Sequence, residues 1–282
     1  MRILVGIDLR LDGHDWLVGR AAWVSSRIGA PVDLLYVAAE QSEVSAAKVS
    51  LEQLLETLPP AARGEALVEV GAPVETLVAR THSPNLLLVG PREPGAIERM
   101  FLGSMASRVI RSAAGTVLVP RGEEPAEERP RVLVGVDLRR GEAGDILAMV
   151  RPWAERFDAV VDAVFVEPQR LPWIPDATVR ARARAEWDAA REPDRVALRA
   201  LLQAQLDERH RGAPVLASGQ PEEALVELSE DYELLFIGNR QRQGLAGLIL
   251  GSVAEHVVRH AVCDVFTLPT QQVGGSAGGP AA

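Results

Sequence analysis

Two hydrophobic rhythms alternate along the chain. Short apolar runs, such as Ile3-Leu4-Val5, Val32 to Val37, Leu86-Leu87-Leu88-Val89 and Leu234-Leu235-Phe236-Ile237, lack the polar alternation of a half-exposed strand. They predict strands buried on both faces. Between them, apolar residues recur at helical spacing: Leu17, Val24 and Ile28, then Leu51, Leu54, Leu55 and Leu58, and later Ile146, Val150, Trp153 and Phe157. Pro152 falls inside the last set and predicts a kink there. Strand and helix in alternation imply an α/β fold, a parallel doubly wound sheet with right-handed crossovers.

The whole pattern occurs twice. Arg2-Ile3-Leu4-Val5-Gly6-Ile7-Asp8-Leu9-Arg10 returns 129 residues later (131 − 2) as Arg131-Val132-Leu133-Val134-Gly135-Val136-Asp137-Leu138-Arg139. From Gly71 and Gly219 onward the offset is 148, so the second copy carries 19 extra residues (148 − 129) between its second and third strands. Third strands are expected at Ala66–Val70 and Pro214–Ala217, helices at Pro73 and Pro221, and last strands at Thr116–Val119 and Asp264–Thr267. The division that follows is a first domain over 1–122, a linker over 123–130 and a second domain over 131–270. The second domain has a helical insertion at about 170–212, and residues 271–282 form a disordered tail. Pro193 predicts a helix start near Asp194, with Val196, Leu201, Leu202 and Leu206 facing the core. The segment Leu171-Pro172-Trp173-Ile174 is expected to pack down over the second copy. Each last strand would be an open sheet edge on its own. The two copies are therefore expected to pair through these strands about a pseudo-twofold axis.

One motif also recurs. Gly90 is followed 13 residues later by Gly103-Ser104, and Gly238 by Gly251-Ser252. Each first glycine closes a buried strand and each Gly-Ser opens an amphipathic helix, begun by Met105 and Val253. Loop glycines let backbone N–H groups approach an anion, and a helix start offers unpaired donors and partial positive charge. This is a recipe for a phosphate site. Asp8 and Asp137 end the first strands at the carboxyl edge of the sheet, where open α/β folds bind ligands. The blander alternatives are turn glycines, capping serines and loop-capping aspartates.

The pattern resembles the motif of the universal stress protein family, Gly-x2-Gly-x9-Gly-[Ser/Thr]. Glu93 and Gln241 stand in place of its second glycine. The resemblance implies tandem five-stranded Rossmann-like domains of the adenine nucleotide alpha hydrolase-like type. It implies a regulatory and binding role in the stress response, with ATP or a related adenine nucleotide as ligand, accompanied by magnesium. It places Asp8 and Asp137 against the nucleotide, and Val37 and Val166 beside the adenine. Gly90, Gly103, Ser104 and Met105, with Gly238, Gly251, Ser252 and Val253, fall at the phosphates. The alternatives are a nucleotide-free interaction module and, third, a slow ATPase. A carboxylate at 93 about 5 Å from phosphate would oppose binding by roughly 3 kcal/mol at an effective dielectric of about 20. The second copy is therefore expected to bind more tightly than the first.

Charge and composition narrow the classes. A formal charge of −9 argues against nucleic-acid or anionic-membrane binding. Lys48 is the only lysine among 30 basic residues, which excludes a phosphate-loop lysine and a lysine Schiff base at either motif. Cys263 is the only cysteine, so no intrachain disulfide or cysteine-zinc cluster forms. Met1 leads directly into a strand and no apolar run is long enough to span a membrane, which predicts a soluble cytoplasmic protein. His256 and His260 lie i, i+4 on one helix. A metal pair is conceivable there, but a solvated or packed face is the commoner use of such spacing. No catalytic constellation stands out, and the sequence names no protein partner.

Overall fold

The computed structural model describes residues 1–11, 13–81, 85–90, 104–121, 129–168, 173–240 and 251–270. The first copy contributes β1 (Ile3–Gly6), α1 (His14–Ile28), β2 (Val32–Ala38), α2 (Val44–Glu56), β3 (Arg63–Val70), α3 (Pro73–Ala79), β4 (Leu86–Val89), α4 (Ser104–Ser112) and β5 (Thr116–Val119). The second contributes β6 (Arg131–Gly135), α5 (Ala143–Phe157), β7 (Val160–Glu167), α6 (Ala177–Ala190), α7 (Glu192–Gln205), β8 (Arg211–Ser218), α8 (Pro221–Leu228), β9 (Leu234–Arg240), α9 (Ser252–His260) and β10 (Asp264–Thr270).

All ten strands form one sheet, ordered β3-β2-β1-β4-β5-β10-β9-β6-β7-β8. Pairing is parallel within each half and antiparallel only where β5 meets β10, with Val265 opposite Val119 and Thr267 opposite Val117. The two edges that needed partners thus close on each other. Helices cover both faces, which is why β2 and β4 are buried along their whole length.

Asp33 and Asp162 are buried inside β2 and β7, each at a register shift against the neighbouring strand. The shift turns a backbone N–H toward the carboxylate: Glu65 N donates to Asp33 at 2.8 Å and Ala213 N to Asp162 at 2.6 Å. Arg2 pairs with Asp33, while Arg131 and the Tyr232 hydroxyl hold Asp162. Gly64 and Gly212 precede these donors. A Cβ on Gly212 would lie 2.8 Å from the Val161 carbonyl oxygen, so the close approach requires glycine.

The seam between halves is packed on both faces of the sheet. On one, Trp23 of α1 stacks on Phe157 of α5 at 5.5 Å, and Phe266 lies 5.4 Å from Trp153 and 4.4 Å from Phe236. Arg20 of α1 makes a buried ion pair with Asp264 of β10, whose other oxygen accepts the Arg121 N–H at 2.8 Å. On the opposite face, the last turns of α4 and α9 leave carbonyls without their usual donors. The N–H of Ala114 goes to Thr81 Oγ1 and that of Val262 to Ser229 Oγ. The other half supplies replacements: Asn239 Nδ2 donates to the Ile110 carbonyl at 2.6 Å, and the Arg121 guanidinium to the Val258 carbonyl.

Several expectations need correction. β9 does not stop at Gly238 but pairs with β10 as far as Arg240. α7 begins at Glu192, with Pro193 in its first turn, and buries Leu198 and Leu202, with Leu206 just beyond its end. Val196 is exposed instead, because it lies well over 100° round the helix from the stripe formed by Leu198 and Leu202. α7 packs on β7, β8 and α5, as α2 packs on β2 and β3, so the element special to the second copy is α6. α6 buries no residue and rests on α7. Trp173 is 82% exposed and does not pack down; Leu171 and Pro172, like the tail from 271 and linker residues 122–128, lie outside the described residues.

Candidate functional site

In the second copy the chain leaves β6 for β7 on one side and later returns to β9 on the other. Strands diverging in this way leave a crevice beyond their carboxyl ends. A cleft of about 860 Å³ occupies that position, within the size range of small-molecule sites. It is lined by Asp137 after β6, Phe165, Val166 and Glu167 at the end of β7, and Gly238 in β9. Gly251, Ser252 and Val253 at the start of α9 complete it. Six residues singled out from the second motif therefore meet in one cavity: Asp137, Val166, Gly238, Gly251, Ser252 and Val253.

The two motif glycines have different reasons to be there. A Cβ on Gly238 would stand 3.0 Å from Thr270 Cγ2 and 3.3 Å from Ile146 Cδ1, so this glycine lets α5 and β10 close on β9. Gly251 has φ −60° and ψ 141°, open to any residue, and no described atom lies within 4 Å of where its Cβ would be. Neither conformation nor packing among the described residues calls for glycine at 251. Its bareness leaves room at the mouth of α9. Ser252 was expected to cap this helix, but Gly251 is the N-cap residue and has no side chain with which to cap α9. Ser252 is the first helical residue and is exposed on the cleft wall. The first N–H groups of α9 and the hydroxyl of Ser252 thus face the same space, an arrangement suited to an anion.

Asp137 accepts the Arg139 N–H at 3.0 Å and is ion-paired with Arg140, whose Nε lies 3.1 Å away. The Arg139 side chain turns away. It forks onto Asp194 of α7 at 2.8 and 2.7 Å, lies over the Phe165 ring at 4.9 Å, and approaches Glu167 at 3.9 Å. Glu255, one turn into α9, also borders the cleft and pairs with Arg259 at 2.8 Å.

The first copy is arranged differently. Asp8 is gripped by the fork of Arg10, Nε to Oδ1 at 2.7 Å and Nη2 to Oδ2 at 3.1 Å. Burial raises the Asp8 carboxyl, but the Arg10 hydrogen bonds and charge outweigh it and hold the group below the usual carboxylate range. Val37 is buried at the end of β2. Gly90 is backed by Leu17, whose Cδ2 would lie 3.2 Å from an added Cβ. Met105 is half-buried against the α3–α4 side of the core. Glu93, Gly103, Gln241 and Arg242 lie outside the described residues, as do the side chains of Ser104 and Arg240.

Other candidates resolve into packing. His256 and His260 have ring centroids 4.4 Å apart, and burial, His256, Arg121 and Arg259 lower the proton affinity of His260. Among the described residues no three His, Cys, Asp or Glu side chains are grouped to hold a metal ion. Cys263 is buried, and burial pushes its thiol well above the ordinary value, which makes it unreactive. No helix among the described residues is long and apolar enough to cross a membrane. Sequence reasoning missed Phe165, Glu167 and Asp194. Phe165 neighbours Val166 and was within reach of the motif, whereas Asp194 enters only through the placement of α7.

A sequence profile of the universal stress protein family matches residues 1–121 and again 128–269. A universal stress protein of Mycobacterium tuberculosis is 31% identical over 227 residues, covering 78% of this chain and 73% of that protein. Another, from Mycolicibacterium smegmatis, is 29% identical over 198 residues, covering 68% of this chain and 64% of the relative. Among solved structures, a universal stress protein of Archaeoglobus fulgidus superposes with a TM-score of 0.62 at 17% identity, covering 95% of this chain and 96% of its own. A protein of unknown function from Pseudomonas aeruginosa gives 0.63 at 17% identity, with 95% and 92% covered. With the family matched once in each half, the chain belongs to the universal stress protein family.

Proposed function

We propose that the second-copy cleft binds an adenine nucleotide, and that the protein serves the stress response as a nucleotide-binding regulator in the cytoplasm. The observation that carries this reading is the convergence of Asp137, Val166, Gly238, Gly251, Ser252 and Val253 on one cleft at the glycine-capped start of α9. In this reading Val166 and the strand ends hold the base, Asp137 accepts from the ribose, and α9 with Ser252 receives phosphate. Magnesium would enter with the phosphates of ATP and supply charge neutralisation there, with Ser252 and Glu255 among the oxygen donors that line the cleft.

The test is isothermal titration of the full chain with ATP and magnesium, and separately with AMP and cyclic AMP. Binding is expected in the second copy and lost in Gly251→Val, whose side chain fills the bare mouth of α9. A wild-type chain that binds none of the three, or a Gly251→Val chain that binds as well as wild type, overturns the reading.

A further inference from the structure

The same arginine of the repeated strand motif does opposite things in the two copies. Arg10 closes over Asp8 with both ends of its guanidinium fork, while Arg139 is drawn 55 positions along the chain to Asp194. The cause is legible in the helix that packs beside each strand pair. The buried positions Leu51 and Leu55 of α2 correspond to Leu198 and Leu202 of α7 at an offset of 147. That register sets Asp194 against Ala47 (194 − 147), a buried methyl that offers an arginine nothing. Asp194 is mostly buried, its side chain 15% exposed, so the fork is anchored on a fixed carboxylate. Phe165 beneath the guanidinium supports the same orientation, and Tyr36 occupies the matching place in the first copy.

We propose that Asp194 is a positioning residue that keeps the Arg139 guanidinium off Asp137, and that the first copy, lacking this anchor, is shut by its own Arg10. The inference rests on the nucleotide reading above and deepens it, since it names what makes the second cleft the receptive one. Asp137 retains Arg140 on one oxygen at 3.1 Å. What the anchor prevents is the two-pronged grip seen at Asp8, which a ligand hydroxyl would have to displace. A partly exposed arginine–carboxylate contact of this kind is equivalent to about a fivefold change in affinity.

The experiment uses the full chain and ATP with magnesium in a titration calorimeter, alongside crystal structures without nucleotide. Asp194→Ala should weaken binding about fivefold, and Asp194→Ala/Arg139→Ala should recover to within about twofold of wild type, because the side chain that Asp194 released is gone and Asp137 keeps the contacts it has in the wild type. A purely structural role for Asp194 would not be rescued by a second deletion. An Asp194→Ala chain with unchanged affinity, or a double variant as weak as the single, overturns the proposal. If the wild-type chain binds no nucleotide, the functional reading fails, but the crystal structure of Asp194→Ala still decides this one. Arg139 lying across Asp137, as Arg10 lies across Asp8, supports it, and Arg139 remaining over Phe165 overturns it.

Discussion

Replacing Arg20 with methionine tests how the two halves are held together. Arg20 and Asp264 are almost completely shielded from solvent, with 2% and 0% of their side chains exposed. Burial pushes the Asp264 carboxyl above its ordinary value, while Arg20 and the Arg121 N–H pull the other way. Methionine keeps an apolar stem near Trp23 but removes the paired guanidinium, leaving Arg121 as the positive charge beside Asp264. Breaking a buried pair from one side costs about 3–5 kcal/mol. Proton uptake sets a ceiling on that loss. Neutralising a carboxyl whose unfolded pKa is about 3.9 costs, at pH 7, about 3.1 × 1.36, or about 4 kcal/mol. The loss at pH 7 is therefore expected at about 3–4 kcal/mol. The folded variant then binds a proton that the unfolded chain lacks, so its stability relative to wild type rises as pH falls. The deficit should shrink by about 1.4 kcal/mol per pH unit, to about 1 kcal/mol or less at pH 5. Urea unfolding of both proteins at pH 7, 6 and 5 measures this. A deficit below about 1 kcal/mol at pH 7, or one that does not change with pH, would refute the reasoning.

Asn239→Ala leaves the Ile110 carbonyl without its cross-seam donor and should lower stability by about 1–2 kcal/mol in denaturant unfolding; a change below about 0.3 kcal/mol would contradict the role given to Asn239. Gly212→Ala forces a methyl against the Val161 carbonyl and the Asp162 carboxylate, and should cost about 1–3 kcal/mol, read as a lowered urea midpoint at unchanged m-value. Lowered proton affinity at His260 means the unfolded chain takes up its proton first, so stability should decline as pH falls below about 6.5. His260→Gln should flatten that part of the profile, and an unaltered profile would exclude His260 as its source.

The parallel strands were legible because uninterrupted apolar runs fit a sheet covered on both faces; the order of strands within each half was not. The pairing of β5 with β10 was legible because both would otherwise be bare edges. Helix positions followed from apolar spacing, but Val196 was wrongly set on the core stripe of α7: it stands six residues before Leu202, about 120° round the helix from it, whereas Leu198, four residues before, shares its face. Trp173 shows a different limit, since nothing in a local apolar string says whether a surface exists to receive it. At the site, the strand ends and the described part of the second motif supplied Asp137, Val166, Gly238, Gly251, Ser252 and Val253, but not Asp194, which arrives from elsewhere. Asp194 and the extension of β9 beyond Gly238 depend on contacts between distant segments, and single-sequence periodicity does not carry those.

The carbonyl oxygens of Ile110 and Val258 receive the same service from unlike residues, an amide on one side and a guanidinium on the other. In an assembly of two identical chains about a twofold axis, one residue type must satisfy both sides, and any substitution is felt twice. Joining the copies in one chain lifts that obligation. A change in one half can be answered by a different change in the other. Asn239 could then reach across the seam while its counterpart position holds Pro91, which has no side-chain donor, and Arg121 could take the opposite carbonyl. Covalent fusion thus turns a self-complementary contact into two independent ones, each able to drift toward its own task.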